Sequence, residues 1–128
     1  MKNEKIKMTL DLIVSKSDID YIMCCALENG ISGWSDDVKV CGEYLGEYIF
    51  EQISEGGCLL IHDLYGEETY ILDREKLMKG IRIFVGKPEN RGDLEMAGGH
   101  LELDTAYINS FDADEIIQYA LFGEIRYV

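Results

Sequence analysis

Carboxylates recur at a regular spacing within residues 42–57, and acidic side chains so arranged are suited to binding basic groups. Four glutamates stand four residues apart, and two tyrosines share the same interval: Glu43, Glu47, Glu51, Glu55, Tyr44 and Tyr48. Residues four apart lie on one side of an α-helix. The apolar stripe of such a helix would be formed by Leu45, Ile49, Gln52 and Ile53. The pattern predicts an amphipathic helix that ends at Gly56-Gly57 and displays the carboxylates beside the tyrosines.

The row of glutamates carries a charge that a cationic group must balance. Like charges four residues apart destabilise a helix by roughly 0.2–0.5 kcal/mol per pair. The chain has 25 acidic and 12 basic residues, which give a net charge of −13. Twelve acids and one base lie between Ser17 and Glu68, whereas six bases and two acids lie between Arg74 and Arg91. Either the basic segment docks against the acidic one within the molecule, or the carboxylates face a basic partner.

A surface of exposed carboxylates can imitate nucleic acid when further acids lie beside the glutamate row. The negative field repels phosphates and anionic membranes, so we expect neither direct nucleic-acid binding nor membrane binding. The predicted partner-binding residues are Glu43, Glu47, Glu51, Glu55, Asp36 and Asp37. Solubility alone is the other explanation of the charge.

Aromatic residues lie near several glycines in the first half of the chain, where backbones approach one another closely. Rings in such a setting either pack in a core or stack on the base of a small nucleotide, whose phosphates would bind to basic side chains. The alternative, ligand-binding set joins three aromatic residues to three bases: Trp34, Tyr44, Tyr48, Arg74, Lys79 and Arg82.

Cys58 and His62 lie four residues apart on a predicted strand, which places both side chains on one face. They suggest a Cys–His nucleophile pair, although a packed strand histidine explains the same pattern. The chain lacks the spacings that are typical of zinc, calcium and phosphate-binding motifs. We therefore expect no catalytic residue, no metal and no cofactor, and a protein that is not an enzyme.

The cysteines and the apolar runs bear on the compartment of the protein. None of the four cysteines, Cys24, Cys25, Cys41 and Cys58, forms a C-x-x-C pair. The charged N-terminus lacks the apolar region of a signal peptide, and no apolar run has the length that crosses a bilayer. These features predict reduced thiols in a cytoplasmic protein.

The first half of the chain shows strand, helix and turn signals in succession. Alternating apolar residues predict a strand over residues 5–14. Ser17 is expected to cap a helix that ends at Gly30. A turn over residues 31–37 and a short strand over residues 38–40 precede the acidic helix.

The second half is expected to alternate strands with helices. Strands over residues 58–63 and 69–72 form a hairpin, Asp73 caps a helix, and residues 86–100 form the longest loop. The remaining elements are a strand over residues 101–104, a helix from Asp112 to Gly123, and a final strand with Ile125 and Tyr127. Because this order is not a regular βαβ alternation, it predicts one α+β domain over residues 1–128, with a mostly antiparallel sheet packed by three to four helices.

Four motifs resemble those of a group of small acidic proteins encoded by phages and prophages of gut bacteria. They are Gly30-Ile-Ser-Gly-Trp34, Gly42-Glu-Tyr-Leu-Gly-Glu-Tyr48, Ser54-Glu-Gly-Gly57 and Ile117-Gln-Tyr-Ala-Leu-Phe-Gly-Glu124. The resemblance brings no activity, cofactor or site residue with it. It implies a mobile genetic element, and small acidic phage proteins without enzymatic activity often counter host defence.

These observations lead to one expected function and two alternatives. The first is a phage or prophage protein that presents its acidic surface to a basic, nucleic-acid-handling protein in the host cytoplasm, as anti-CRISPR proteins do. The second is a sponge that sequesters a nucleotide signal of a host defence system. The third is a small soluble domain whose role the sequence does not indicate. Whether the chain forms a homo-oligomer is left open.

Overall fold

The computed structural model describes residues 3–128 and shows an α+β fold, which confirms the predicted class. The helices are α1 (Lys16–Cys25), α2 (Arg74–Gly86) and α3 (Ser110–Phe122). The strands are β1 (Leu12–Ile13), β2 (Ser35–Cys41), β3 (Cys58–Asp63), β4 (Thr69–Leu72), β5 (Leu94–Ala97) and β6 (His100–Leu103). Within this described range, no helix has the length and apolar character needed to span a membrane.

The strands form two three-stranded sheets instead of one. One sheet has the order β1-β6-β5 and the other β2-β3-β4. All neighbours are antiparallel except β1 and β6, which run parallel with Leu12 opposite Leu101. The predicted hairpin of residues 58–63 and 69–72 is confirmed, with Leu59 opposite Leu72. On β3 alternate side chains enter the core, as expected of a strand with one buried face.

A core between the sheets and the helices holds the molecule together. Its fully buried side chains come from the three α-helices, from β3 and β4 and from the turns before β3, and they include Ile22, Met23, Ile53, Leu59, Ile61, Leu72, Leu77, Phe84 and Ile116. Helix α2 packs along α3. Gly80 makes this approach possible, because a Cβ there would lie 2.4 Å from the carbonyl oxygen of Ile116. Burying each large apolar side chain contributes about 1.5–3 kcal/mol.

The helix ends follow the capping rules, with small shifts from the predicted positions. Asp73 caps α2 by accepting from the backbone N–H of Lys76 at 2.9 Å, as predicted. Gly123 ends α3 in the left-handed conformation. The cap of α1 is Ser15 and not Ser17, because Ser15 and Asp18 form a reciprocal capping box. Asn109 and Asp112 do the same for α3, so this helix begins before Asp112.

The prediction of a strand over residues 5–14 is wrong for most of its length. Its pairing partner β6 begins at His100, directly after a turn at Gly98 and Gly99, both of which have positive φ. The last ladder contact is the Leu101 N–H donating to the Asp11 carbonyl at 2.8 Å. Residues 3–10 therefore lack a strand neighbour in the described part of the chain, and each residue from 3 to 11 is exposed.

Two expectations for the second half of the chain are also wrong. Residues 86–100 are not a long loop, because a 3₁₀-helix (Pro88–Asp93) and the β5–β6 hairpin occupy most of them. The end of the chain is not a strand. Instead the buried side chain of Gln118 binds it, accepting from the backbone N–H groups of Arg126 and Tyr127 at 2.8 Å.

Candidate functional site

Residues 42–57 do not form the predicted amphipathic helix. Residues 42–48 form a loop, which is followed by a single 3₁₀ turn at Ile49–Glu51 and a series of turns. Gly42 opens the loop with a φ of +78°, a conformation that continues no helix. Of the predicted apolar stripe, Ile53 is fully buried and Gln52 is 1% exposed, but Leu45 is 42% exposed. The stripe is therefore only partly buried, and the segment that carries it is not an α-helix.

The buried amide of Gln52 fixes the shape of the loop. Its Nε2 donates to the carbonyl oxygen of Glu43 at 2.9 Å, and its Oε1 accepts from the N–H of Leu45 at 3.0 Å. Two backbone groups of an irregular segment are thereby satisfied from inside the protein. Gly57 lies against this amide, because a Cβ at that position would come within 2.3 Å of Nε2.

Glu51 is part of the loop's framework and is not a free carboxylate. Its Oε1 accepts from the backbone N–H groups of Glu47 at 2.9 Å and Tyr48 at 2.8 Å, as a capping side chain does at the start of a helix. Gly46 packs against it, since a Cβ there would lie 2.6 Å from the Cβ of Glu51. One member of the predicted glutamate row is thus committed to structure.

The segment after the loop is tied to α1 and α2. Ser54 donates its hydroxyl to Asp20 at 2.5 Å, and its carbonyl oxygen accepts from the guanidinium of Arg74. Glu55 forms an ion pair with Lys16 at 3.2 Å. Arg74 therefore binds a backbone carbonyl oxygen. Between residues 3 and 128, no salt bridge joins Arg74, Lys79 or Arg82 of α2 to the glutamate row. The cations of α2 therefore do not pair with these glutamates.

The loop carries exposed aromatic rings beside a cleft of about 430 Å³. Tyr44 is 50% exposed and Tyr48 is 55% exposed. The rings of Tyr48 and Phe50 are stacked, with centroids 5.4 Å apart and an angle of 3° between their planes. The carboxylates of Glu28 and Glu47 belong to the same cleft. These five residues are called the tyrosine surface below.

The tyrosine surface contains no activated nucleophile. Cys24 lines its cleft and donates its thiol to Glu28 at 3.4 Å. Burial, together with this hydrogen bond, raises the pKa of Cys24, so the sulfur is a neutral thiol near neutral pH. The groups that this surface offers to a partner are therefore its aromatic rings and its carboxylates.

Asp36 and Asp37 lie elsewhere, on β2, and line another cleft together with His62. Asp36 binds the Nδ1 of His62 at 2.6 Å, and Asp37 pairs with Lys39 at 3.5 Å. The hydrogen bond raises the pKa of His62 and lowers that of Asp36. The structure thus divides the predicted acidic set: Glu47 lies on the tyrosine surface, and the two aspartates lie on β2.

The predicted ligand-binding set is divided as well. Trp34 is 2% exposed, donates its indole N–H to Asp114 at 2.7 Å and stacks on Tyr127, so its ring belongs to the core. Arg74, Lys79 and Arg82 line an open groove of about 880 Å³ along α2. Tyr44 and Tyr48 are not among the residues that line this groove.

Cys58 and His62 do not form a nucleophile pair. Four residues of strand separate them by about 13 Å, and His62 is bound to Asp36. The hydrogen bond of the Cys58 thiol to Cys41, together with burial, raises the pKa of Cys58 to about 11. Among residues 3–128, no group of histidine, cysteine and acidic side chains is arranged to hold a metal ion.

Several important side chains escaped the sequence analysis. The sequence pattern places Gln52 in an apolar stripe and indicates no role for Gln118 or Asp63. Asp63 is fully buried and accepts from the Tyr127 hydroxyl at 2.6 Å and from two backbone N–H groups. Burial alone would raise the pKa of Asp63, but these hydrogen bonds lower it. A buried glutamine or aspartate within an apolar pattern is the one local signal that could have identified them.

Comparison with known proteins returned no match: no family model describes the chain, and no curated protein or solved structure is significantly similar to it. The function must therefore be inferred from the side chains themselves.

Proposed function

We propose that this protein is a non-enzymatic binding protein that uses the tyrosine surface to hold a basic segment of another protein. The observation that carries the proposal is the pair of half-exposed tyrosines beside Glu28 and Glu47, on a loop held by the buried Gln52. Functional residues are often found on loops that a rigid scaffold positions.

The rings are suited to such a contact for energetic reasons. Tyrosine is enriched at the centres of protein interfaces, because it provides a large contact area with few rotatable bonds. Tyr48 is further restrained by its stack on Phe50. The loop backbone is already ordered by Gln52 and Glu51, so little conformational entropy is lost when a partner binds.

The charge of the molecule selects the kind of partner. A net charge of −13 attracts basic proteins and accelerates their association. An arginine or lysine of the partner would lie over Tyr44 or Tyr48 and pair with Glu47. A cation over an aromatic ring gains about 0.5–2 kcal/mol, depending on its desolvation. Salt would weaken the complex by screening these charges.

The biological setting of the proposal rests on the resemblance to phage and prophage proteins. In that setting the partner is a basic, nucleic-acid-handling protein of host defence, such as a CRISPR effector, in the host cytoplasm. The tyrosine surface would cover part of the effector's nucleic-acid-binding surface. Asp36 and Asp37 would add to the long-range negative field without touching the same segment of the partner.

The test uses a fluorescent peptide of alternating arginine and lysine, measured by anisotropy at low and high salt. Tyr48→Ala is expected to weaken binding about tenfold, which corresponds to ~1.4 kcal/mol. Tyr107→Ala, at an exposed tyrosine elsewhere on the molecule, is the matched control and should bind like the wild type. Glu47→Lys should weaken binding more than Glu95→Lys, which makes the same charge change on β5. Equal effects of Tyr48→Ala and Tyr107→Ala would reject the proposed site.

A second candidate is the nucleotide sponge, which the groove of Arg74, Lys79 and Arg82 along α2 favours. The groove is lined by four cationic side chains, because Lys76 joins these three, and they could bind the phosphates of a nucleotide. Cyclic and ADP-ribose-type nucleotides should then raise the melting temperature, and Arg82→Ala should abolish the shift. Absence of a shift with every nucleotide would remove this candidate.

A further inference from the structure

The start of the chain exposes apolar side chains in a regular pattern. Ile6 is 86% exposed, Met8 is 83% exposed and Leu10 is 45% exposed. They alternate with Lys5, Lys7, Thr9 and Asp11, which is the pattern of a strand with one buried face. Residues 3–11 are called the N-terminal arm below. The arm has the sequence of a half-buried strand, yet within the described chain nothing covers it.

The arm continues an open sheet edge. Its neighbour β1 lies at the end of the sheet order β1-β6-β5, with one side paired to β6 and the other side unpaired among residues 3–128. Asp11 directs its carbonyl toward β6. Because alternate residues of a strand direct their hydrogen-bonding groups to opposite sides, Leu10 and Leu12 direct theirs to the free edge. Such an edge is a template for another strand.

An apolar groove of about 640 Å³ lies beside this edge. It lies between α2 and the sheet, and its lining includes Leu10 and Leu12 of the arm and β1, Met78 and Ile81 of α2, and Leu101 of β6. Successive side chains of a strand point to opposite faces. Ile6, Met8, Leu10 and Leu12 are two residues apart, so in an extended arm all four lie on one face. A strand added at the free edge would therefore place its own apolar side chains along the groove.

We propose that the added strand is the N-terminal arm of a second copy of this chain, paired antiparallel about a two-fold axis at Thr9. In this register Ile6 of one copy lies opposite Leu12 of the other, and Met8 lies opposite Leu10. The exposed apolar residues of each arm thus meet those that line the groove of the other copy. The proposal concerns a different surface from the tyrosine surface and does not depend on the function proposed above.

The charges of the arm support a second copy as the occupant. In the same register, Lys7 of each copy lies opposite Asp11 of the other copy, and the two Thr9 residues lie opposite each other. Opposite charges and threonine pairs stabilise directly opposed positions of antiparallel strands. A shift of four residues would place Lys7 opposite Lys7, and a shift of one residue would turn the apolar side chains away from the groove. The arm is therefore complementary to itself in sequence and in charge.

The full-length protein is tested by sedimentation velocity across a wide range of concentrations, with circular dichroism to confirm folding. The wild type should be a dimer that dissociates on dilution. Ile6→Lys combined with Met8→Lys should give a monomer with an unchanged spectrum, because both side chains are exposed in the single chain. Tyr107→Lys combined with Phe111→Lys introduces the same two charges at exposed side chains outside the arm and should remain dimeric. A monomeric wild type, or a dimer that survives the double substitution, would overturn the proposal.

The register has its own test. Lys7→Asp places two like-charged pairs in the interface and should weaken the dimer, and adding Asp11→Lys should restore it. Thr9→Cys brings two sulfurs together at the axis, so mild oxidation should link the copies covalently, whereas the wild type with its native cysteines should not be linked. No rescue by Asp11→Lys and no cross-link at residue 9 would refute the Thr9 axis.

Discussion

Replacing Gln52 with methionine should destabilise the protein and weaken its binding, although residue 52 is 1% exposed and cannot touch a partner. Methionine has nearly the length and volume of glutamine, so core packing is kept. What is lost is the amide that binds the carbonyl of Glu43 and the N–H of Leu45. Gln52→Met therefore separates the hydrogen bonds of this residue from its packing.

The magnitude follows from those two hydrogen bonds. Each contributes about 0.5–1.5 kcal/mol net. Both hydrogen bonds are partly buried. We expect the free energy of unfolding to fall by about 2 kcal/mol, which lowers the melting temperature by about 8 °C in a chain of this size.

The assay combines urea unfolding with peptide anisotropy. Affinity for the basic peptide should fall together with stability, because the loop must then be ordered during binding. Glu43→Gln is the control, since it changes an exposed side chain and keeps the carbonyl that Gln52 binds; its stability should stay within about 0.5 kcal/mol of the wild type. Wild-type stability and affinity in Gln52→Met would refute the role given to this amide.

The remaining predictions concern a titration and a helix contact. His62 should titrate by NMR with a pKa above 6.5, and Asp36→Asn should lower it. Because the pKa is raised in the folded state, the stability from this pair is present below the unfolded pKa and is lost as pH rises through the folded value; a flat pH profile that matches Asp36→Asn would contradict this. Gly80→Ala should destabilise by about 1–3 kcal/mol in thermal unfolding despite alanine's better helix propensity, because its Cβ would lie 2.4 Å from the Ile116 carbonyl. A higher melting temperature would show that α2 and α3 can separate at little cost.

Local signals in the sequence predicted the elements whose determinants are local. The alternation over residues 58–63 and 69–72 gave the β3–β4 hairpin, and Asp73 gave the start of α2. Capping and alternation depend on residues a few positions apart, so they can be read without knowing the fold. The α+β class followed from the order of such elements.

The errors arose where distant contacts decide the structure. The four-residue spacing within 42–57 fits a helix, but Gln52 satisfies the backbone of residues 43 and 45 in another conformation. The arm has a strand pattern, but β6 begins only at His100, so among the described residues no strand lies beside residues 3–10. The hairpin within residues 86–100 turns at Gly98 and Gly99, which both have positive φ, a conformation that glycine makes possible and its presence alone does not predict.

Two of these errors coincide with the two surfaces proposed to bind. Sequences usually agree with their fold at every level, and disagreements concentrate where function imposes its own demands. At residues 42–48 a helical spacing of tyrosines and acids is kept on a loop that exposes Tyr44 and Tyr48. In the arm, a half-buried strand pattern is kept on a segment that one chain leaves uncovered. The arm's pattern has a physical reason once a second copy supplies the missing strand, because the alternation then describes burial in the dimer. The exposed positions of Tyr44 and Tyr48 do not follow from packing within the protein. Binding of a basic partner would account for them.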